Sequence, residues 1–146
     1  MARPESPLAW PVTLIAAEEG GFVVNFPDFP EGWSQGDSHE EALTQAADLL
    51  ETMIANYMAE DWDLPDPSLA AGSPLVPLAP LVAAKVELYR AIRRAGITKG
   101  ELAHRIGMSP QQAQRLFDIR HVSRLDQIDA AMRALGRRLV VSSDAA

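Results

Sequence analysis

Short apolar runs punctuated by turn residues fill the first part of the chain, and apolar positions at helical spacing fill the rest. From Trp10 the run Pro11-Val-Thr-Leu-Ile-Ala-Ala17 reads as a strand, Glu18-Glu-Gly-Gly21 supplies turn chemistry, and Phe22-Val-Val-Asn-Phe26 reads as a second strand, which predicts a hairpin. Pro27-Asp-Phe-Pro30 is expected to interrupt pairing because neither proline can donate a ladder hydrogen bond, leaving Gly32-Trp-Ser-Gln-Gly36 as a short third strand. Ser38-His-Glu-Glu41 has the spacing of a capping box, with the Glu41 side chain expected to reach back to the Ser38 amide. The helix it opens carries Ala42, Leu43, Ala46, Leu50, Met53, Ile54 and Tyr57 at 3.6-residue spacing, so one face is expected to pack on the small sheet.

Five of the sixteen residues from 65 to 80 are proline, which excludes a helix and predicts an extended segment or linker at a domain boundary. Within it Leu75-Val-Pro-Leu78 is available as a fourth, edge strand. Beyond the boundary four helices are predicted. Leu81 to Ala95 is closed by Gly96 as a left-handed cap, Thr98-Lys-Gly-Glu101 is a second capping box whose helix ends at Gly107, and Ser109-Pro-Gln-Gln112 opens a third helix with Pro110 at its first position. Ser123-Arg-Leu-Asp126 opens the fourth, with Leu125, Ile128, Met132 and Leu135 on one face, and Arg137-Arg-Leu-Val-Val141 reads as a short terminal strand. The expected architecture is α+β: a small sheet with one helix in residues 1–64 (with a possible edge strand to 80), a Pro-rich linker in 65–80, and an all-α domain with a short C-terminal strand in 81–146.

Charge sharpens the division. The chain carries a net −7, but residues 1–80 hold 14 Asp or Glu against Arg3 alone, a net of −13, whereas residues 81–146 hold 12 Lys or Arg against six acids, a net of +6. Opposite signs imply different partners, since an acidic surface repels nucleic acid and attracts basic proteins while a basic one suits phosphates. No apolar run approaches the ~20 residues needed to cross a bilayer, and the stretch from Met1 to Trp10 lacks the apolar core of a secretion signal, so the expected location is cytoplasmic. There is no cysteine, and His39, His104 and His121 lie far apart without ligand spacing, so neither a metal nor a cofactor is expected.

The most specific motif is Thr98-x-x-Glu101-Leu102-Ala103-x-x-Ile106-Gly107-Met108-Ser109-x-x-x-Ala113-x-x-Leu116, the spacing of a DNA-binding helix-turn-helix. A small Ala103 lets the second helix cross closely, Gly107 permits the turn, and Met108, Ala113 and Leu116 are expected to fill the space between the helices. The third helix then presents Gln111, Gln112, Gln114 and Arg115, side chains of the types that pair with adenine and guanine edges in a major groove. Gln111 and Arg115 are the favoured base readers, because the Ser109 cap competes for Gln112. Lys99, Ser109, Arg120, His121 and Arg124 sit at helix starts or in the following loop and are the candidate phosphate contacts. Such proteins usually act as dimers, and Leu139, Val140 and Val141 are the candidate dimer contact.

Taken together, Trp10-Pro-Val12, Gly20-Gly-Phe-Val-Val-Asn-Phe-Pro-Asp-Phe-Pro30, Gly36-Asp-Ser-His-Glu-Glu-Ala42, the helix-turn-helix, Ser123-Arg-Leu-Asp126 and Ala134-Leu-Gly136 resemble the HicB antitoxin family of HicAB toxin-antitoxin systems over nearly the entire chain. Trp10 and Trp33 depart from the residues expected of it. The resemblance implies a partial RNase H-like first domain that covers a small basic ribonuclease toxin of the HicA type, and a second domain that binds the operator of its own operon. Some members carry a ribbon-helix-helix instead, against which the spacing here argues. No enzymatic activity is expected: two-metal phosphodiester cleavage in an RNase H fold needs a carboxylate in the first strand, Val12 to Ala17 contains none, and two of Asp28, Asp37, Glu40 and Glu41 complement a helix start. The alternative reading is a stand-alone helix-turn-helix regulator whose acidic domain senses a small ligand.

Overall fold

The structure is a computed structural model and describes residues 8–145. The stretch Met1–Pro7, part of the segment read above as arguing against export, lies outside them. The described chain is a mixed α+β protein with five strands in two small antiparallel sheets and five helices, and its contacts divide it into two units, 1–78 and 79–146. Each is described separately.

In the first unit the predicted opening strand is two strands with different partners. β1 (Ala9–Pro11) pairs with β5 (Leu75–Pro77), matching Trp10 with Val76, and β2 (Thr13–Ala16) pairs with β3 (Phe22–Phe26). Val12 is the joint, its amide donating to the Pro74 carbonyl at 3.0 Å. The hairpin turn forms as expected, with Gly20 (φ 98°) and Gly21 (φ 74°) in a backbone region that favours glycine. β4 (Phe29–Gly36) is longer than its prediction and contains Pro30. Pairing resumes immediately after the two-residue turn at Pro27-Asp28, where Phe26 opposes Phe29, and an irregularity between Asn25 and Phe26 absorbs the change of register. Pro30 lies on an edge strand, where a missing donor leaves no ladder bond unmade.

The helix α1 (His39–Ala59) covers one face of the β2-β3-β4 sheet. Ser38 caps it, its Oγ accepting from the Glu41 amide at 3.1 Å, but the Glu41 carboxylate takes the Asp37 amide at 2.9 Å rather than that of Ser38. Close approach depends on glycine in β4: a Cβ on Gly36 would stand 2.4 Å from the Ala42 nitrogen, and one on Gly32 2.7 Å from the Met53 sulfur. Val24, Phe26, Phe29, Leu50 and Ile54 are buried in this unit, and Trp10 of β1 is buried beside them against the Phe29 ring. Beyond α1 the Pro-rich chain is extended and held to this unit, with the Trp10 indole N–H donating to the Pro65 carbonyl at 3.2 Å and Ser68 bonding Asp28 through both amide and hydroxyl at 3.0 Å.

The second unit begins with α2 (Pro80–Ala95), where Pro80 takes a first-turn position that has no N–H to satisfy. Gly96 ends it in the left-handed conformation (φ 69°) and Gly107 (φ 68°) ends α3 (Lys99–Ile106). Thr98 caps α3 through the Glu101 amide, while the Glu101 carboxylate turns outward to Arg105 at 3.2 Å instead of closing a box. The full box occurs at α4 (Pro110–Leu116): Ser109 Oγ accepts from the Gln112 amide at 3.1 Å and Gln112 Oε1 accepts from the Ser109 amide at 2.9 Å. Val86, Leu88, Leu102, Ala103, Ala113, Leu116 and Ile128 form the core, and Met108 is only half-buried.

Two expectations for the chain end are corrected. α5 (Leu125–Ala134) has Arg124, not Ser123, at its cap position; Ser123 is buried with its hydroxyl donating to the Arg115 carbonyl at 3.4 Å, and Leu125 lies exposed. Residues 137–145 form no strand. The Leu139 amide donates to Asp129 at 3.0 Å, so the segment is held against α5 by a side chain, and a strand needs a backbone partner that the unit does not supply. Leu139 is half-buried, while Val140 and Val141 are exposed.

Candidate nucleic-acid interface

α4 sorts its side chains into two sets. Ala113 and Leu116 are buried, fixing one side of the helix against the core, and Gln111, Gln114 and Arg115, spaced at i, i+3 and i+4, share the exposed side. Gln112 is exposed too, but its oxygen is committed to the cap. Ser109 has its hydroxyl engaged by the Gln112 amide.

The candidate phosphate contacts divide similarly. Lys99 is half-buried with its ammonium 5.2 Å from the centre of the buried Phe117 ring, a cation–π contact that ties the start of α3 to the residue after α4. Arg124 is exposed and pairs with Asp126 at 2.7 Å. Arg120 and His121 have exposed side chains on the loop after α4, which Asp118 helps to order: its carboxylate accepts from the Arg120 amide at 3.0 Å and its carbonyl from the His121 amide at 3.1 Å.

One further residue bears on this surface, and it lies outside the helix-turn-helix spacing. Lys85 of α2 is fully buried, and its ammonium donates to three backbone carbonyls, those of Arg115 at 2.9 Å, Asp118 at 2.7 Å and His121 at 2.6 Å. One cation thus gathers the end of α4 and the loop that carries Arg120 and His121. Carbonyls at a helix C-terminus carry partial negative charge, so an ammonium suits them. Burial pushes the Lys85 pKa below its ordinary value, a shift that nearby Asp118 partly opposes. The signal was present in the sequence: Lys85 falls between Val82 and Tyr89 at the spacing of the buried face of α2, where a lone lysine must find acceptors.

At the end of the unit, Asp129 accepts from Arg133 at 2.8 Å and from the Leu139 amide, and these bonds hold its carboxyl below the usual carboxylate range. In the first unit the Tyr57 hydroxyl donates to Glu31 at 2.7 Å, and that bond raises its pKa to about 12. No three His, Asp or Glu side chains among the described residues are grouped to hold a metal ion, and no described helix is long and apolar enough to cross a membrane.

The chain thus joins an acidic unit to a basic one, and likeness to known proteins gives the class: residues 9–87 match the family described as "HicB_like antitoxin of bacterial toxin-antitoxin system". The chain belongs to this HicB family of antitoxins. It is 38% identical over 135 residues to "Antitoxin HicB 1" of Photorhabdus laumondii, covering 92% of this chain and 86% of that protein. It is likewise 38% identical over 133 residues to "Antitoxin HicB" of Escherichia coli K12, covering 90% and 96%. "Antitoxin HicB" of Pseudomonas fluorescens is 34% identical over 134 residues, covering 90% and 92%.

Proposed function

We propose that this antitoxin neutralises a small basic ribonuclease toxin of the HicA type through its acidic first unit, a partial RNase H-like domain, and represses its own operon through the second. The observation that carries the DNA-binding half is the exposed row of Gln111, Gln114 and Arg115 on α4, in a part of the chain with a net +6. In this reading α3 and α4 are a helix-turn-helix, α4 enters the major groove, and those three side chains meet base edges. Ser109, Lys99, Arg120, His121 and Arg124 are assigned to the phosphates. Gln112 is assigned to the cap first and to bases second. The protein acts as a homodimer or larger homo-oligomer on paired half-sites; the exposed Val140 and Val141, with Leu139, remain the proposed contact, now as an irregular segment rather than a strand.

For the first unit, the net −13 supports fast, salt-sensitive docking of a cationic protein. No catalytic step is assigned to it, because β2 reads Thr13-Leu-Ile-Ala16 where metal-dependent cleavage would require an acid. The test is co-expression with the small open reading frame adjacent to the gene, followed by gel-shift titration on the upstream DNA. Relief of toxicity, co-purification and retardation of that DNA are expected. Growth arrest despite co-expression would overturn the neutralising half, and absence of retardation at low salt the repressing half.

A further inference from the structure

The β2-β3-β4 sheet has a second face. Its register places Thr13, Asn25 and Trp33 in one cross-strand row and Ile15, Val23 and Gln35 in the next. The alternate positions Val24, Gly32 and Gly36 are the buried ones, and added Cβ atoms on the two glycines would strike α1, so these two rows point away from the helix. On this outer face Trp33 is 58% exposed and Ile15 48% exposed, with Val23 half-buried beside them.

We propose that this outer face, with Trp33 and Ile15 as its apolar anchors, is where the toxin docks; the proposal rests on the reading above that the first unit neutralises a basic toxin. Three observations favour that occupant. Tryptophan is among the residues that dominate binding energy at protein interfaces, and here an exposed one adjoins an aliphatic row rather than standing alone. Carboxylates flank the apolar rows in the chain: Glu18 and Glu19 occupy the turn between β2 and β3 and Asp37 follows β4 at one end of the sheet, while at the other Asp28 is engaged by Ser68 and Glu31 by Tyr57 of α1. An apolar centre with a charged rim is the usual anatomy of a protein interface, and a rim of one sign selects a partner of the other. A second copy of the chain would instead bring one net −13 region against another, which mutual repulsion disfavours.

The test uses the full chain and, as probe, the product of the small adjacent open reading frame, separated from the co-expressed complex in guanidinium and refolded. Affinity is measured by titration calorimetry for the wild type, Trp33→Glu, Ile15→Glu and, as control, Leu75→Glu, an exposed site on β5 in the other sheet. Trp33→Glu is expected to weaken binding at least ~30-fold, Ile15→Glu to act in the same direction and Leu75→Glu to leave it unchanged. Circular dichroism melts and DNA retardation should match the wild type in all three. Equal affinity in Trp33→Glu and Ile15→Glu would overturn the assignment of the face. So would unchanged affinity with a reduced mass by light scattering, which would mean that the face joins two copies. If the wild type itself does not bind the probe, the neutralising function falls, and the docking face with it.

Discussion

Replacing Lys85 by methionine keeps the length and apolar stem of the side chain and removes only the ammonium. Three hydrogen bonds to backbone carbonyls, at 2.6–2.9 Å, are lost. Bonds from a charged donor contribute ~1.5–3 kcal/mol each. Burying the ammonium costs several kcal/mol, which the substitution recovers. Two of the acceptors are not abandoned, since Arg115 O also accepts from Ser123 and from the Asp118 amide and Asp118 O from the His121 amide. The expected net loss is therefore about 3 kcal/mol, below the gross sum of the three bonds. For a unit of about 70 residues that lowers the melting temperature by roughly 12–24 °C. Calorimetry on the full chain would measure it, and amide exchange should quicken most at residues 117–124, which lose their internal tether.

The sign with pH follows from the lowered pKa. Below the folded value Lys85 is charged whether the chain is folded or not, and the burial cost is present. Between that value and the ordinary 10.5, the unfolded chain holds a proton that the folded chain has released, so wild-type stability gains on Lys85→Met as pH rises through this window. Because the chain has no cysteine, Lys85→Cys alkylated with 2-bromoethylamine while unfolded rebuilds an ammonium at nearly the original reach, and refolding should restore the melting temperature. A melt of Lys85→Met within about 2 °C of the wild type, with unchanged exchange at 117–124, would refute the view that this lysine holds the loop.

Other consequences are as direct. Gln111→Ala and Arg115→Ala should each cost roughly 1–3 kcal/mol of operator affinity in a gel-shift titration and relax base preference, with toxin binding intact; unchanged binding would move the reading surface elsewhere. Tyr57 should titrate near 12 at 295 nm, and its bond to Glu31 supports the first unit below the ordinary phenol value of 10.0, the support being lost as pH climbs from there to about 12. Tyr57→Phe should abolish that step, and an unaltered titration would refute the assignment. Gly36→Ala should destabilise more than Gly32→Ala, by about 1–3 kcal/mol as measured in urea, because the first Cβ meets the backbone of Ala42 and the second the movable end of Met53.

Caps, turns and helix ends were legible from residues alone. Ser38, Thr98 and Ser109 cap, and Gly96 and Gly107 terminate, because each acts through backbone within about four residues of itself, a range over which the sequence is already the structure. The same locality made the exposed row on α4 readable, since helical spacing alone puts Gln111, Gln114 and Arg115 opposite Ala113 and Leu116. Charge alone divided the chain near residue 80, and order along the chain alone located the family motifs.

Tertiary structure decided which competing partner each group took. The carboxylates of Glu41 and Glu101 had a predicted amide in reach and chose the Asp37 amide and Arg105 instead. The opening strand was one apolar run, yet it changes partner at Val12 because β5 returns from more than sixty residues downstream to claim its first half. Local propensity favoured a strand at the chain end, and Asp129 settled the matter by taking the Leu139 amide. Trp10 and Trp33 are the same residue type in strands of the same unit, yet Trp10 is buried against Phe29 and the returning Pro65 carbonyl while Trp33 is 58% exposed on the sheet face turned away from α1. Lys85 shows the reason most plainly: its burial depends on three carbonyls thirty or more residues away, and no local preference encodes a contact of that separation.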